Sequence, residues 1–149
     1  MTAWRVGVGV LAGVLQLACA DGYPAKESGL MLRQDMSSAE SVAAMNQIGK
    51  GQKLEFRWRY ALQSGCVLVI ETGRSLKKNE TITLPLEETT SAMTKGENGV
   101  NYRVSLRARR SKTFDDMVVL EHTSWSDATQ MRWLLDHVRA HCARAALRS

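Results

Sequence analysis

An α+β fold is what this 149-residue sequence predicts: an antiparallel sheet of about five strands, with a short N-terminal and a long C-terminal helix packed on one face. Three observations carry the prediction. Between Lys53 and Thr123 the apolar residues recur mostly every second position, as in half-buried strands. Near both ends the spacing changes to that of a helix with one apolar face. The connections between the alternating runs are short, which pairs neighbouring strands antiparallel. A sheet with one wet face and helices on the other is the economical way to bury these patterns.

The first element is an export signal. Met1 to Arg5 carries one positive charge, and Val6 to Ala18 is apolar apart from Gln16. The small residues Ala18-Cys19-Ala20 then offer a cleavage site. Residues 1–20 are therefore expected to be removed, with the mature protein starting at Asp21, periplasmic or secreted. A lipoprotein signal also ends in small residues before a cysteine. That alternative would anchor the chain to a membrane through Cys19, but Gln16 suits it poorly three places upstream. The apolar run is shorter than the ~20 residues of an ordinary membrane span.

Residues 21–36 read as a loosely ordered leader that allows a short strand at 30–34, and residues 37–149 as a single domain. Ser37 opens the first helix, and Glu40 three places on completes a capping box. Val42, Met45 and Ile48 follow at helical spacing until Gly49 and Gly51 end the run. Leu54, Phe56, Trp58, Tyr60 and Leu62 then alternate with polar residues, and Ser64-Gly65 turns the chain. Cys66 to Ile70 is apolar throughout, which predicts a central strand covered on both faces. After a basic loop over residues 73–79, Ile82, Leu84 and Leu86 alternate to Pro85, which marks an edge or an end.

Residues 87–99 are polar and predict a long loop or a short irregular helix. Val100, Tyr102, Val104, Leu106 and Ala108 form the next alternating run, and Met117 to Thr123 the last. The closing helix is expected to open at Ser126 or Asp127, with Gln130 placed for a capping box and Trp125 as a hydrophobic staple. Met131, Leu134, Leu135, Val138, Cys142 and Ala145 share its inner face.

The chain holds 20 Lys and Arg against 15 Asp and Glu, and cleavage of residues 1–20 removes only Arg5. That balance is mildly basic, well short of the clustered charge of a nucleic-acid binder, so nucleic acid is not expected as a partner. Once residues 1–20 are gone, two cysteines remain, Cys66 and Cys142. In an oxidising compartment they are expected to form a disulfide pinning the last helix to the sheet.

The most suggestive surface is basic. Arg57 and Arg59 share the polar face of one strand, and Arg103, Arg107 and Arg109 that of another. If those strands are neighbours, five guanidinium groups gather on one sheet face, suited to carboxylates, phosphates or an acidic protein partner. The plainer account is a solvated face balanced by Glu55, Glu71 and Glu121. Trp133 is expected to point away from the apolar face, where an aromatic can serve as a partner contact.

His137 and His141 are spaced i, i+4 as two zinc ligands would be, with His122 and Cys142 as further candidates. No H-E-x-x-H motif completes them, since residue 138 is Val, and the cysteine is better used in the disulfide. No metal and no cofactor are expected. The adjacent acids Glu87-Glu88 and Asp115-Asp116 fall in loops, and no nucleophile elbow, P-loop or dinucleotide fingerprint occurs, so no catalytic residue is assigned. Asn79-Glu80-Thr81 matches a glycosylation acceptor, relevant only in a eukaryotic host. The expectation is thus a small exported, non-enzymatic binding protein, inhibitor-like or immunity-like, that meets a macromolecule through its basic sheet face. The alternative is a carrier holding an apolar or anionic small ligand between the sheet and the closing helix.

Overall fold

The computed structural model describes residues 30–52, 56–74, 79–109 and 116–147. Residues 1–20, expected from the sequence to be an export signal, Cys19 among them, most of the basic loop after residue 74 and the connection at 110–115 lie outside the described residues. Within them the chain runs as α1 (Ser38–Lys50), β1 (Phe56–Gln63), β2 (Val67–Arg74), β3 (Glu80–Pro85), β4 (Thr89–Lys95), β5 (Tyr102–Ala108), β6 (Met117–Thr123) and α2 (Trp125–Ala146). The fold is α+β, but its six strands form two antiparallel three-stranded sheets rather than one sheet of five. Sheet 1 has the order β1-β2-β3 and sheet 2 the order β4-β5-β6.

Residues 86–88 explain the division. After Pro85 a single 3-10 turn, Leu86–Glu88, carries the chain out of sheet 1. Leu86, 1% exposed, anchors the turn, and its N–H donates to the Cys66 carbonyl. Thr89 then begins β4, where the sequence predicts only a loop or irregular helix. Thr-Thr-Ser-Ala-Met-Thr-Lys carries no apolar alternation to reveal a strand. Its order comes from pairing with β5, Ser91 opposite Leu106 and Met93 opposite Val104, and from α2. On that helix Asp136 accepts from the Ser91 hydroxyl at 2.8 Å, while Arg139 donates to the Thr89 carbonyl at 2.9 Å.

Helix α1 starts as the sequence predicts. The Ser37 hydroxyl accepts from the Glu40 N–H, and the Glu40 carboxylate accepts from the Ser37 N–H at 2.7 Å. These hydrogen bonds hold the Glu40 carboxyl below its ordinary pKa. The helix then lies along the outer edge of β1. The Asn46 side-chain amide donates to the Tyr60 carbonyl at 2.8 Å and accepts from the Tyr60 N–H at 2.9 Å. One side chain thus satisfies backbone groups that an edge strand would leave open. Gly49 permits this approach, since a Cβ there would lie 2.5 Å from the Trp58 carbonyl oxygen.

Strand β2 is central in sheet 1, with Leu68 and Ile70 fully buried. Its other face is not covered, because Val67 and Val69 are only half-buried. Helix α2 begins earlier than the sequence predicts. Ser124 is the cap, accepting from the Asp127 N–H at 3.0 Å, and Gln130 makes no capping box. Ala128 therefore joins Met131, Leu134, Leu135, Val138 and Cys142 in the core, while Ala145 is exposed. Residues 30–36 form no strand. Leu30 and Leu32 pack against the core and Met36 is 7% exposed.

Cys66 and Cys142 are joined, with an S–S distance of 2.10 Å and Cα atoms 5.8 Å apart. Cys66 sits in the β1–β2 turn rather than in the strand, and its φ of 57° is left-handed, as is the 73° of Gly65. The bridge ties that turn to the C-terminal part of α2. No helix among the described residues is long and apolar enough to cross a membrane.

Candidate functional site

The most site-like region lies at the end of sheet 2, where β4 turns into β5 beside the end of β6. The turn is built from Gly96-Glu97-Asn98-Gly99. Gly96 donates to the Asn101 carbonyl at 2.7 Å, and the Asn98 side-chain oxygen accepts from the N–H groups of Val100 and Asn101, both at 3.1 Å. Gly99 supplies the positive φ, 69°, that such a turn needs.

Across from this turn the β5–β6 pairing slips. Tyr102 pairs with Thr123 but Val104 with Leu120, so Glu121 and His122 together face the single residue Arg103. His122 takes the extra step of this β-bulge with a φ of 56°, a conformation a non-glycine residue adopts at some cost. Bulges of this kind re-aim side chains, and strained residues concentrate where a surface is used.

Turn and bulge enclose a cleft of about 360 Å³ whose lining includes Lys95, Glu97, Asn98, Arg103, Glu121 and His122. The Glu121 side chain is 18% exposed, and its carboxylate has two loose neighbours. Arg103 stands 3.6 Å away and His122 Nε2 3.9 Å away, both beyond hydrogen-bonding distance. A polar, charge-lined cleft open to water suits recognition of a polar ligand or of a charged part of another protein.

The five arginines do not form one face. Arg57 and Arg59 belong to sheet 1, whereas Arg103 and Arg107 lie on β5 and Arg109 just past it, in sheet 2. Their strands are not hydrogen-bonded neighbours, because the chain changes sheet at residues 86–88. Three of the five face carboxylates: Arg59 with Glu71 at 3.7 Å, Arg103 with Glu121, and Arg107 with Asp116. The last pair is bidentate, at 2.7 and 3.0 Å. It raises the Arg107 pKa and lowers that of Asp116, each favouring its charged form. Arg57 and Arg109 are exposed. Arg109 borders a smaller hollow, about 240 Å³, with Asp136 and Arg139, but both of those are engaged in holding β4.

Trp133 does not point outward. It is half-buried against the core and stacks on His137, with centroids 4.8 Å apart and planes 12° apart. The helical periodicity that predicts an outward Trp133 takes no account of the chain before α1, whose Met36 carbonyl reaches His137 one turn further along α2. The exposed tryptophan is Trp125, at 58%.

His137 continues the ladder to His141, with centroids 4.6 Å apart, and its Nε2 lies 2.9 Å from the Met36 carbonyl. His141 Nε2 is enclosed without a hydrogen-bond partner. Burial first, then Arg144 and His137, push the His141 pKa down. Cys142 is held in the disulfide, and among the described residues no three of His, Cys, Asp and Glu come together to hold a metal.

Of the cleft residues, sequence reasoning singled out Arg103 alone as a contact. The Gly-Glu-Asn-Gly stretch between two strands was the available signal for the rest, but only with β4 recognised as a strand does it become a hairpin turn. Comparison with protein-family profiles, with curated proteins and with solved structures finds no match to this chain.

Proposed function

We propose that this chain is an exported binding domain, without catalysis of its own, that engages a macromolecular partner through the cleft at the end of sheet 2. The observation that carries the reading is the bulge at Glu121–His122, which costs backbone strain and opens a charged cleft opposite a well-braced turn. Without Arg5 the exported domain holds 19 Lys and Arg against 15 Asp and Glu, a net charge of +4 that steers approach toward an acidic partner, and the cleft makes the specific contact. The disulfide suits an extracellular or periplasmic setting, which agrees with an export signal at residues 1–20.

The carrier reading has less support. Met131, Leu134, Leu135 and Val138, at 0–1% exposure, are shut off from solvent between helix and sheet, where a carrier needs an entrance. The test is a photocrosslinking residue placed at Val100, which is 73% exposed on the turn, or at Leu147, which is 87% exposed at the far end of α2. A discrete adduct in the exported fraction from position 100 and none from position 147 is the expected result. No adduct at 100, or equal labelling at both, would overturn the proposal.

A further inference from the structure

The cleft has a charge pattern that narrows what it accepts. Among its lining residues Lys95 and Arg103 are cationic and Glu97 and Glu121 anionic, so the lining is formally neutral but strongly polar. A ligand carrying only an anion or only a cation would leave half of these groups unmatched and partly desolvated, which is costly. The Arg103–Glu121 pair is the centre of the pattern. At 3.6 Å it is an ion pair without a hydrogen bond, so both groups keep their hydrogen-bonding positions. Glu121, moreover, is largely covered, with 18% of its side chain exposed, yet hydrogen-bonds to no side chain among the described residues. A covered carboxylate in that condition gains from a donor brought by a ligand.

Resting on the reading of this cleft as the binding site, we propose that it recognises an ammonium or guanidinium group held a few Å from a carboxylate. Glu121 accepts the cation, and Arg103 takes the carboxylate with Lys95 beside it. Set alongside the Arg103–Glu121 pair, such a charge pair closes a ring of four alternating charges in which every charge has an opposite neighbour. Two sources carry this chemistry: a small free zwitterion, such as an amino acid or dipeptide, and a Lys–Glu pair on the surface of a protein partner. A cleft of about 360 Å³ admits either.

The test follows backbone amide shifts of the oxidised protein during titration with four probes at millimolar concentration. These are Ala-Ala, its N-acetyl form, its C-terminal amide, and a helical peptide with blocked ends and one i, i+4 Glu–Lys pair. The expected result is saturable shifts at residues 95–103 and 121–122 with Ala-Ala or with the helical peptide, which tells a free zwitterion from a protein surface. Both singly blocked dipeptides should bind at least tenfold more weakly, as should the preferred probe to the Glu121→Gln and Arg103→Gln proteins. Equal binding of blocked and unblocked probes would overturn the charge-pair inference while leaving the cleft as a binding site. Saturable shifts elsewhere alone would overturn both, and no shift with any probe would overturn the inference.

Discussion

The Tyr60 hydroxyl, on β1 of sheet 1, donates a hydrogen bond to the Val119 carbonyl, on β6 of sheet 2. Val119 is an extra residue in its strand, since Val104 pairs with Leu120 and Ser105 with Val118. The bulge frees a carbonyl that no ladder partner takes, and a tyrosine from the other sheet satisfies it. Both residues are buried, at 2% and 0% exposure, so the bond sits where an unmet acceptor is costly.

Replacing Tyr60 with Phe keeps the ring and strands the Val119 carbonyl. A loss of about 1–3 kcal/mol of stability is expected, read from the urea midpoint. Burial also raises the pKa of this phenol far above its ordinary value of 10.0. The folded state therefore favours the neutral form, and that stability, full below pH ~10, is lost as pH rises toward the folded-state value. An absorbance titration should show Tyr60 ionising only together with alkaline unfolding.

Asn46 closes the edge of β1 with two hydrogen bonds to Tyr60. Asn46→Ala should cost about 1–3 kcal/mol and leave an open strand edge, so sedimentation should detect self-association alongside the lower urea midpoint. Gly49→Ala should also destabilise, by about 1–3 kcal/mol, although alanine favours helix. A Cβ 2.5 Å from the Trp58 carbonyl oxygen meets backbone that cannot swing aside.

The Cys66–Cys142 bridge spans 76 positions of sequence. Replacing both cysteines with alanine should remove roughly 4 kcal/mol in the chain-entropy account, measured as a fall in the urea midpoint without reductant. Intact mass of the exported protein checks the bridge and the processing together. The expected mass begins at Asp21, and thiols become alkylatable only after reduction. Alkylation without reductant would refute the bridge.

His141 gives the molecule an acid-sensitive element. Its pKa in the folded protein lies below the ordinary 6.5, so the unfolded chain binds the proton more tightly. The stability it contributes is present above about 6.5 and is lost as pH falls through the lower folded-state value. Thermal midpoints should decline over that window, and His141→Gln should flatten the decline. A second fall at lower pH belongs to the carboxyls of Glu40 and Asp116, whose pKa values are also held down. Their contribution is present above the ordinary carboxylate range and lost below it.

Much of the fold was legible because its signals are local. Ser37 and Glu40 are three residues apart and make their capping box without help from the rest of the chain. The alternation of Trp58 and Tyr60, or of Val104 and Leu106, records which face is buried. Residues 89–95 record nothing of the kind, since their strand is imposed by β5 on one side and by Asp136 and Arg139 on the other. The start of α2 was misplaced for a related reason. Ser124 and Ser126 are equally good caps by composition, and the extended backbone at Ser124 decides between them.

Residue spacing and the supply of cysteines suffice for the element types other than that of β4, for most of the apolar faces and for the pairing of Cys66 with Cys142. The tertiary structure decided that the strands divide into two sheets at Leu86–Glu88, which separates Arg57 and Arg59 from the arginines of β5. It alone also decided that Glu121 and His122 bulge beside the turn at Gly96–Gly99 to form a cleft. Register slips and sheet breaks arise from packing between segments far apart in sequence, and no local pattern of residues encodes them.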